Sequence, residues 1–575
     1  MNKQTAQLME KHFNTAFAAP DGIKKLRELI LTLAMQGKLV PQDPQDQPAS
    51  ELLKEIEEEK KRLVKEGKIK AGSREDAKNA KEIGLGEAPC ELPDGWEWVR
   101  FGSIAQHNSG KTLDKGRNTG QLCDYITTSN LYWGYFKLNS VRQMPIRDDE
   151  LEKCTARKGD LLICEGGEAG RAAVWFYDKE ICFQNHIHRA RFYGDIDPHY
   201  AYHFFEKLNA TGEICQHRQG VGISNMSGKA LASIIFPLPP LAEQRRIVAK
   251  IELLMARCDE LEKLRAEREQ KRLTVHTAAL NRLLMATENN DLSTVWRFVT
   301  QYFGELYSVK ENVAELRKAI LQLAVMGKQV PQDPKDQPTS QLLIEIETEK
   351  KRLVKEGKIK APKPLPEIKP GEVPYELPEA WEWVRLGALA MSVDYGTSIK
   401  TGDDATKVPV YRMGNIVDGQ LVNSGFKYID HVIDDLPRLF LLENDILFNR
   451  TNSYELVGKT AIYLGQDDIA TFASYLIRIR LIEKQLLPRY INLTMNAPYF
   501  RKTQIEPEII QQCGQANFNG TKLSATLIPL PPISEQHRIV AKIDQLMNLC
   551  DELDKHIDAS TQKQTALLNA VMAQV

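Results

Sequence analysis

The sequence of 575 residues has no continuous apolar run that reaches the roughly 18 residues of a membrane-spanning helix. Its nine cysteines never occur at Cys-x-x-Cys spacing, which excludes the common zinc-ribbon and dithiol redox sites. A charge excess is also absent, because 76 basic residues oppose 77 acidic ones, so the whole chain lacks the basicity typical of nucleic-acid binders. These absences, with the polar start MNKQTAQLME, predict a soluble cytoplasmic protein whose thiols are reduced and mostly structural.

What the sequence does contain is an internal duplication. Three blocks occur twice in the same order, and residues 37–71 differ from residues 327–361 at only six positions. The blocks pair LRELILTLAMQGKLVPQD (26–43) with LRKAILQLAVMGKQVPQD (316–333), ELPDGWEWVRFG (91–102) with ELPEAWEWVRLG (376–387), and FPLPPLAEQRRIVAKIELLMARCDELEK (236–263) with IPLPPISEQHRIVAKIDQLMNLCDELDK (528–555). At this length about three to five structural units are expected, and the duplication sets their order.

Two inserts lie between the second and third blocks, at residues 103–235 and 388–527, and share little beyond a few glycines and similar strand-like spacings. If all parts of a duplication diverged at the same rate, the blocks and the inserts would differ equally between the two halves. The inserts must therefore have different tasks or histories from the repeated blocks, which we call the frame. Short runs bounded by Gly, Asn, Asp and Pro, such as GDLLICEGGEAGRAAVWF and NDILFNRTNSYELVGKTAIYL, predict β-rich α/β modules with functional loops. Residues 198–210 and 487–505 have helical patterns.

The third block predicts a long helix in each half of the chain. Proline in PLPP ends any preceding helix, and apolar residues then recur at the a and d spacing of a heptad. They are Ile247, Ile251, Leu254, Cys258 and Leu261 in the first copy and Ile539, Ile543, Leu546, Cys550 and Leu553 in the second. One helix over residues 241–284 would be about 65 Å long, although two core helices of an ordinary bundle would give the same pattern.

Motifs of nucleotide-binding and methyl-transferring enzymes are incomplete in this sequence. NSGKT at 108–112 ends like a phosphate-binding loop, but the glycine required five positions before Gly110 is Ala105. NAPYF at 496–500 imitates the Asn-Pro-Pro-Tyr signature of adenine methyltransferases, but Ala497 breaks it and no convincing glycine-rich fingerprint for S-adenosylmethionine accompanies it. A helix N-terminus is the favoured interpretation of NAPYF.

Metal and nuclease sites are also incomplete. His186 and His188 in QNHIHRA could share a metal on one strand face, but no further His or Cys lies nearby at zinc spacing, which favours two strand histidines. Asp160 and Glu165 could contribute to a Mg²⁺ site, but the lysine that usually completes a nuclease site is missing. The chain is therefore predicted to bind rather than to catalyse, with no catalytic or metal-ligating residue.

The ordered motifs resemble those of one known family, the specificity subunits of type I restriction-modification systems. The resemblance rests on PLPPLAEQRRIVAKIELLM and PLPPISEQHRIVAKIDQLM closing the inserts, on LPDGWEWVRFG and LPEAWEWVRLG opening them, and on LRKAILQLAVMGK after the central helix. It implies a mixed α/β fold, with two β-rich α/β target recognition domains joined by two long antiparallel coiled-coil-like helices and a pseudo-two-fold internal repeat. It also implies a subunit that is not itself an enzyme.

The domain order implied by the resemblance follows the repeat. The segments are an N-terminal conserved helical region (1–71), a linker (72–92), the first target recognition domain (93–240), a central conserved helical region (241–361), a second linker (362–375), the second target recognition domain (376–532) and a C-terminal conserved helix (533–575). Residues 241–290 and 533–573 would be the spacer helices.

By the same resemblance, the partners are double-stranded DNA, two modification (methyltransferase) subunits and two restriction (motor-nuclease) subunits, and no membrane is involved. S-adenosylmethionine, ATP and Mg²⁺ would be bound by those subunits, and no cofactor by this chain. Because the inserts differ, the DNA site would be split and asymmetric, and because the frame repeats, two identical subunits would dock on similar surfaces. The net charge is about +2 over residues 100–240 and about 0 over 385–530, so partners would supply most phosphate contacts.

Residues that read DNA are expected on insert loops, because Arg, Lys, Asn, Gln, Ser and Thr side chains reach base edges. FNRTNSYELVG in the second insert resembles the family's DNA-contacting strand-loop-strand segment, and CEGGEAGRAAVW is its looser counterpart in the first. The candidates are Lys111, Asn130, Arg171, Ser224, Asn225 and Lys229 in the first insert and Arg412, Asn415, Arg450, Asn452, Ser453, Tyr454, Gln515, Asn517 and Lys522 in the second. For each candidate, a solvated loop side chain is the alternative.

Two other functions compete with DNA recognition. One is a structural adaptor whose repeated helices recruit two protein partners and whose inserts bind protein, and the other is a fused methyltransferase-specificity enzyme, which the missing motifs disfavour. The repeated peptide SELLKEIEEEKKRLVKEGKIKA is an amphipathic, highly charged helix that alone would be an ordinary surface helix. Its second copy places it in the scaffold, and we predict that both copies lie near the surface on which partners dock.

Overall fold

The structure is a computed structural model that describes residues 3–69, 83, 86–114, 116, 118–218, 224–286, 289–482, 485–512 and 515–573. The chain divides into two compact units, of which the first comprises Met1–Arg268 with Ser560–Val575 and the second Glu269–Ala559. Most of the predicted linker at 72–92 lies outside the described residues, and the linker at 362–375 contains one short 3-10 helix. No helix in the described ranges is long and apolar enough to cross a membrane.

The first unit combines part of the helical frame with a first module, defined as residues 93–240. Its helices are Lys3–Ala16, Gly22–Met35, Ala49–Lys65, Phe101–Ile104, Asp148–Cys154, Pro198–Ala210, the 3-10 helix Glu213–His217, Gly228–Ser233 and the start of Leu241–Met285. Its strands are Glu97–Arg100, Ala105–Ser109, Gln121–Ile126, Leu131–Tyr132, Tyr135–Phe136, Arg142–Ile146, Thr155–Ala156, Leu161–Cys164, Gly166–Gly167, Ala172–Val174, Ile181–Phe183, Ile187–Phe192, Ser224–Asn225 and Ile235–Leu238.

The second unit repeats this plan around a second module, defined as residues 376–532. Its helices are Asn289–Gln301, Phe303–Leu306, Lys310–Val325, Thr339–Lys355, Leu386–Leu389, Leu436–Leu439, Pro488–Asn496, Pro498–Phe500, Gly520–Ala525 and the start of Ile533–Met572, with 3-10 turns at Pro370–Glu372, Met413–Asn415 and Glu506–Glu508 and a π-turn at Arg501–Ile505. Its strands are Glu382–Arg385, Ala390–Tyr395, Val408–Tyr411, Ile416–Val417, Gln420–Leu421, Lys427–Ile429, Ile446–Asn449, Thr451–Asn452, Thr460–Ile462, Thr471–Phe472, Leu476–Leu481, Ile510–Gln512, Gln515–Asn517 and Leu527–Leu530.

The central strand Leu161–Cys164 explains how the first module is layered. Side chains alternate between the faces of a strand, so the first and third residues join the hydrophobic cluster of helix Pro198–Ala210. The second and fourth residues instead join the cluster of Phe183 in a second sheet. Both faces of the strand are covered, which is why all four of its residues (LLIC) are apolar.

The two inserts have the same strand order although their sequences share little. Four successive antiparallel neighbours recur. They are the whole of a sheet in the first module, Ala105–Ser109, Ile187–Phe192, Leu161–Cys164 and Ala172–Val174, and part of a six-stranded sheet in the second, Ala390–Tyr395, Leu476–Leu481, Ile446–Asn449 and Thr460–Ile462. Each module is closed by a strand pair built from the repeated blocks: Glu97–Arg100 with Ile235–Leu238, and Glu382–Arg385 with Leu527–Leu530. The inserts are therefore two copies of one architecture.

A buried arginine–aspartate pair supports the central strands of each module. Arg191 donates two hydrogen bonds of 2.8 Å to Asp160, and Arg480 donates two of 2.7 and 2.6 Å to Asp445. Both aspartates are at most 2% exposed. A bidentate pair of this kind fixes the turn before one strand against its neighbour. The carboxylate of Asp160, considered above for a Mg²⁺ site, is committed to this pair.

The long helices are Leu241–Met285 and Ile533–Met572, with 45 and 40 residues, which confirms the single helix predicted over 241–284. Each begins in one unit and ends in the other, because the unit boundaries fall within them. In the predicted apolar seam of the first helix, Ile247, Ile251 and Cys258 are buried and Leu254 is partly buried. Leu261 is 44% exposed, because the hydrophobic cluster of the first unit ends before it.

The repeated blocks meet at one buried carboxylate in each unit. Three hydrogen-bonded residues, one from each block, form this contact: Gln42, Trp96 and Glu243 in the first unit and Gln332, Trp381 and Glu535 in the second. The carboxylate accepts both donors over 2.9 to 3.0 Å. Burial raises the pKa of Glu535 above its ordinary value. The frame therefore repeats in its contacts as well as in its sequence.

Candidate nucleic-acid interface

Two segments predicted to contact DNA come together in the second module as a short β-ribbon. Thr451–Asn452 pairs antiparallel with Gln515–Asn517, which pairs in turn with Ile510–Gln512. Thr451 Oγ1 also donates a hydrogen bond of 2.7 Å to the Asn517 side chain. The predicted residues Asn452 and Asn517 thus lie on adjacent strands, and Gln515 lies on the second strand with its side chain outside the described part. We call these two paired strands the second recognition ribbon.

The first module has an equivalent ribbon, the first recognition ribbon, in which Ser224–Asn225 pairs antiparallel with Gly166–Gly167. Asn225 is exposed, and the side chain of Ser224 lies outside the described part. Gly167 has a φ of +76°, a conformation that favours glycine, and open space surrounds both glycines where a Cβ would lie. Another molecule can therefore approach the backbone of this strand closely.

Arg450 is held against an aromatic ring where the second recognition ribbon begins. Its guanidinium carbon lies 4.9 Å from the centre of the Tyr395 ring, and Nη1 donates to the Ser474 carbonyl over 3.2 Å. Tyr395 in turn accepts a hydrogen bond of 2.7 Å from the Gly520 backbone. Stacking on an aromatic face restricts the guanidinium plane. Tyr395 was not among the sequence candidates, because only the fold brings it beside Arg450, 55 positions away.

The loop that follows the ribbon strand is anchored by a second unpredicted residue, Arg501. Its guanidinium donates to the carbonyls of Tyr454 and Val457 over 2.5 Å and lies 5.7 Å from the centre of the Tyr454 ring. Within the loop, the Asn452 side chain accepts a hydrogen bond of 2.8 Å from the Ser453 backbone. The predicted residues Asn452, Ser453 and Tyr454 are thus brought together with Arg450 on one braced segment.

Asn130 and Asn415 occupy the same position in the hairpins of the two modules. Each amide oxygen accepts from the backbone N–H three residues earlier, and each amide nitrogen donates over 2.9 Å to the carbonyl seven residues later. Both are at most 5% exposed. The structure thus gives them a role in holding the hairpin, and their predicted contact with DNA stays a prediction. Arg412 belongs to the same hairpin, where it donates to the Gly425 carbonyl over 2.8 Å.

Two predicted cations of the first module are engaged by the protein itself. Lys111 Nζ lies 2.5 Å from the Glu150 carboxylate. Arg171 pairs with Glu168 over 3.1 Å and donates to the Thr128 carbonyl over 2.7 Å. Pairing with a carboxylate reduces the field that either cation presents to a phosphate.

The two late lysines follow the ribbons on short capped helices. Lys229 is exposed on Gly228–Ser233, and Lys522 lies on Gly520–Ala525, where it forms an ion pair of 2.8 Å with Glu508. The caps are Ser227 and Asn519, whose side chains accept backbone N–H groups of the first turn. In both modules the ribbon therefore leads directly into a helix that carries a lysine.

The motifs NSGKT and NAPYF, which are incomplete as enzyme motifs, have structural roles. Gly110 follows the strand Ala105–Ser109, and a Cβ there would lie 2.1 Å from the Phe183 carbonyl oxygen, so the chain at NSGKT passes close to a neighbouring strand. Asn496 ends helix Pro488–Asn496, and its amide nitrogen donates to Thr460 Oγ1 over 2.8 Å. A new short helix begins at Pro498, so the pattern at 487–505 is a broken helix rather than a continuous one.

The histidine pair is split between a turn and a strand. His186 is exposed in the turn before Ile187–Phe192, whereas His188 is buried within that strand, where desolvation lowers its pKa. His188 Nε2 lies 3.1 Å from the Met226 carbonyl. Among the described residues, no group of three or more His, Cys, Asp or Glu side chains is arranged to hold a metal ion.

Comparisons with known proteins found one family model and several similar proteins. Residues 93–269 and 378–561 match the family model described as the type I restriction modification DNA specificity domain. The type I restriction enzyme EcoAI specificity subunit of Escherichia coli is 33% identical over 586 aligned residues, which cover 96% of this chain and 93% of that protein. The EcoEI specificity subunit of Escherichia coli is 31% identical over 576 residues, with the same coverage. The crystal structure of the HsdS subunit from Thermoanaerobacter tengcongensis aligns at 18% identity and a TM-score of 0.44, covering 85% of this chain and 99% of that one.

Proposed function

The chain belongs to the family of type I restriction-modification DNA specificity subunits, and from that membership we propose that its two modules read the two different halves of one split, asymmetric DNA site. The observation that carries the proposal is one ribbon architecture that occurs twice with different side chains. Gly166–Gly167 with Ser224–Asn225 and Thr451–Asn452 with Gln515–Asn517 present different hydrogen-bonding groups. Different groups select different base pairs.

The major groove of B-DNA admits a two-stranded β-ribbon, which supports these ribbons as the reading elements. In the second ribbon, Asn452 and Asn517 offer amide groups, which pair well with adenine. Arg450, immediately before that ribbon, offers a guanidinium, which pairs well with guanine. Tyr395 holds that guanidinium in one orientation, so less side-chain entropy is lost on binding. The hydrogen bond from Thr451 to Asn517 similarly restricts the ribbon before DNA arrives.

Both modules are nearly neutral, so neither has the excess of positive charge that would attract DNA phosphates strongly. Lys111, Arg171 and Lys522 are already paired with carboxylates of their own modules. Phosphate neutralisation supplies much of the affinity of a protein for DNA. We propose that the modules contribute base selection and that the methyltransferase subunits, once docked, contribute most phosphate contacts.

Docking of those subunits is assigned to the ends of the duplicated frame helices. Residues 59–71 and 349–361 are identical over 13 positions. Packing constrains exposed side chains little, yet five side chains of this run that are exposed in both copies are the same residue type in each. They are Lys61, Arg62, Lys65, Glu66 and Lys68 in the first copy and Lys351, Arg352, Lys355, Glu356 and Lys358 in the second. Two equal surfaces suit two copies of one partner, and two motor-nuclease subunits would then complete the restriction complex.

The chain itself would act without catalysis or a cofactor of its own. Gly110, Asn496 and Asp160, each part of a motif considered for enzymatic chemistry, are used in packing or in internal hydrogen bonds. S-adenosylmethionine, ATP and Mg²⁺ would then be bound by the partner subunits.

The test is a genome-wide map of N6-methyladenine with and without the gene for this chain, in cells that retain the methyltransferase subunits. We expect methylation to disappear at one split motif whose two halves differ. Unchanged methylation would contradict the proposal and favour a structural adaptor. A motif with identical halves would contradict the assignment of different tasks to the two modules.

A further inference from the structure

Glu165 and Arg450 occupy the same place in the two modules, immediately before the first strand of each recognition ribbon. The Glu165 backbone N–H donates to the carbonyl of His186, and its carbonyl accepts from the Met226 N–H. Arg450 makes the matching contacts, with the Tyr475 carbonyl and the N–H of the residue after the second ribbon strand. The backbone position is therefore equivalent, while the side-chain charge is opposite.

The Glu165 carboxylate is partly desolvated and has no strong partner among the described residues. Its side chain is 22% exposed, and Oε2 lies 3.9 Å from His188 Nε2, which is too far for a hydrogen bond. The Nε2 of that histidine faces the Met226 carbonyl at 3.1 Å instead. Among the described residues, no hydrogen bond to the Glu165 side chain is formed. A partly buried carboxylate is stabilised when a donor reaches it, so the first ribbon begins with an acceptor that has capacity for a ligand.

At the equivalent position of the second module, Arg450 offers hydrogen-bond donors where Glu165 offers acceptors. Its Nη1 is used by the Ser474 carbonyl, and Nε is buried without a partner among the described residues. The ring of Tyr395 supports the guanidinium from one face. The second ribbon thus begins with donors that are held in a fixed plane.

We infer that this shared position selects one base pair in each half-site, with Glu165 accepting a hydrogen bond from an exocyclic amino group and Arg450 donating to guanine. The inference rests on the proposed function, which it deepens by naming a discriminating position. In the major groove the amino groups are cytosine N4 and adenine N6, and the guanine acceptors are O6 and N7. The Glu165 carboxylate would be repelled by the phosphates of DNA. Its presence beside the ribbon is therefore favourable only if it accepts a hydrogen bond from a base.

The experiment uses the full chain in complex with its methyltransferase subunits. Methylation rates are measured on duplexes in which each base pair of the site is replaced in turn. For Glu165→Ala and Glu165→Arg we expect about a 10-fold loss of discrimination at one base pair of one half-site, with the other half-site unchanged. Glu165→Gln retains most of the preference, because its amide oxygen still accepts. Asp178→Ala is the matched control, since Asp178 is an exposed acid of the same module paired with Lys158.

Arg450→Ala provides the second arm, and we expect it to relax one G·C pair in the other half-site only. Thermal unfolding of each complex shows whether a variant is folded. The inference is overturned if folded Glu165→Ala and Glu165→Arg complexes keep the wild-type preference at every pair, or if Arg450→Ala relaxes an A·T pair instead. Failure of the proposed function is distinguishable, because the unaltered complex would then show no dependence on this chain for its methylation sites.

Discussion

The indole nitrogen of Trp96 lies 2.9 Å from Oε2 of Glu243, and that of Trp381 lies 3.0 Å from Oε2 of Glu535. Each bond is buried and joins the start of a module to the long helix that leaves it. Both ends of a module are therefore fixed at one carboxylate. Such a closure lets the sequence between the two ends diverge while the frame stays constant.

Trp96→Phe tests this closure, because it removes the indole N–H while keeping an aromatic ring. Glu243 is 1% exposed, so its carboxylate loses a donor that water cannot replace. We expect the free energy of unfolding to fall by about 1–3 kcal/mol, measured by chemical denaturation. Trp98→Phe is the matched control, since that indole donates at an exposed position to the Cys90 carbonyl. Equal losses in the two variants would contradict a special role for the buried bond.

The buried Lys350 is expected to make the stability of the protein depend on pH. Burial lowers its pKa from 10.5 to about 8, while Nζ donates to the carbonyls of Gly387 and Ala388 over 2.8 and 2.9 Å. Between those two values the unfolded chain binds more protons than the folded chain, so stability rises with pH. We expect the stability of the unaltered protein relative to Lys350→Met to increase from pH 8 to 10.5. The exposed Lys351→Met control should show no such trend, and a difference that falls with pH would refute the assignment.

The frame could be predicted from the sequence because its signals are local. Heptad spacing is itself a consequence of which helix face is buried, and Ile247 and Ile251 are fully buried as expected. The helix at 198–210 likewise follows from its own pattern and begins with a proline. Leu261 has the same spacing but is 44% exposed, because burial also depends on distant partners that the local pattern does not contain.

The strand order that the two inserts share could not be predicted, because it depends on long-range pairs. Asp160 and Arg191 are 31 residues apart, and Asp445 and Arg480 are 35 apart, so no local pattern connects them. The same limit applies to the site. Both strands of each ribbon were among the candidate segments, but their pairing and the position of Tyr395 required the fold.

Asn415→Ala separates a structural role from contact with DNA. The substitution removes the acceptor for the Arg412 N–H and the donor to the Val422 and Ser424 carbonyls. We expect the free energy of unfolding to fall by about 1–3 kcal/mol, with the base preference of the complex unchanged. Asn452→Ala on the ribbon should do the opposite, changing preference with little loss of stability. If Asn415→Ala changed base preference without loss of stability, direct contact with DNA would be the better explanation.

Charge reversal at the duplicated helix ends tests whether each holds one methyltransferase subunit. Lys61→Glu with Lys65→Glu alters the first copy, and Lys351→Glu with Lys355→Glu alters the second. Because opposite charges steer and stabilise docking, one altered copy should leave complexes with a single bound subunit, and two altered copies should leave none. Native mass spectrometry measures this stoichiometry directly.

The matched control exchanges residues at an exposed position where the two copies differ. Lys54→Ile with Ile344→Lys changes charge and apolar area in the same two helices, away from the identical run. We expect this protein to retain two subunits, because a surface that differs between the copies is a poor site for two identical partners. Two bound subunits in both charge-reversed proteins would show that the identical helix ends serve another purpose. Any complex that still forms should keep the unaltered base preference, because the recognition ribbons belong to the modules and not to these helices.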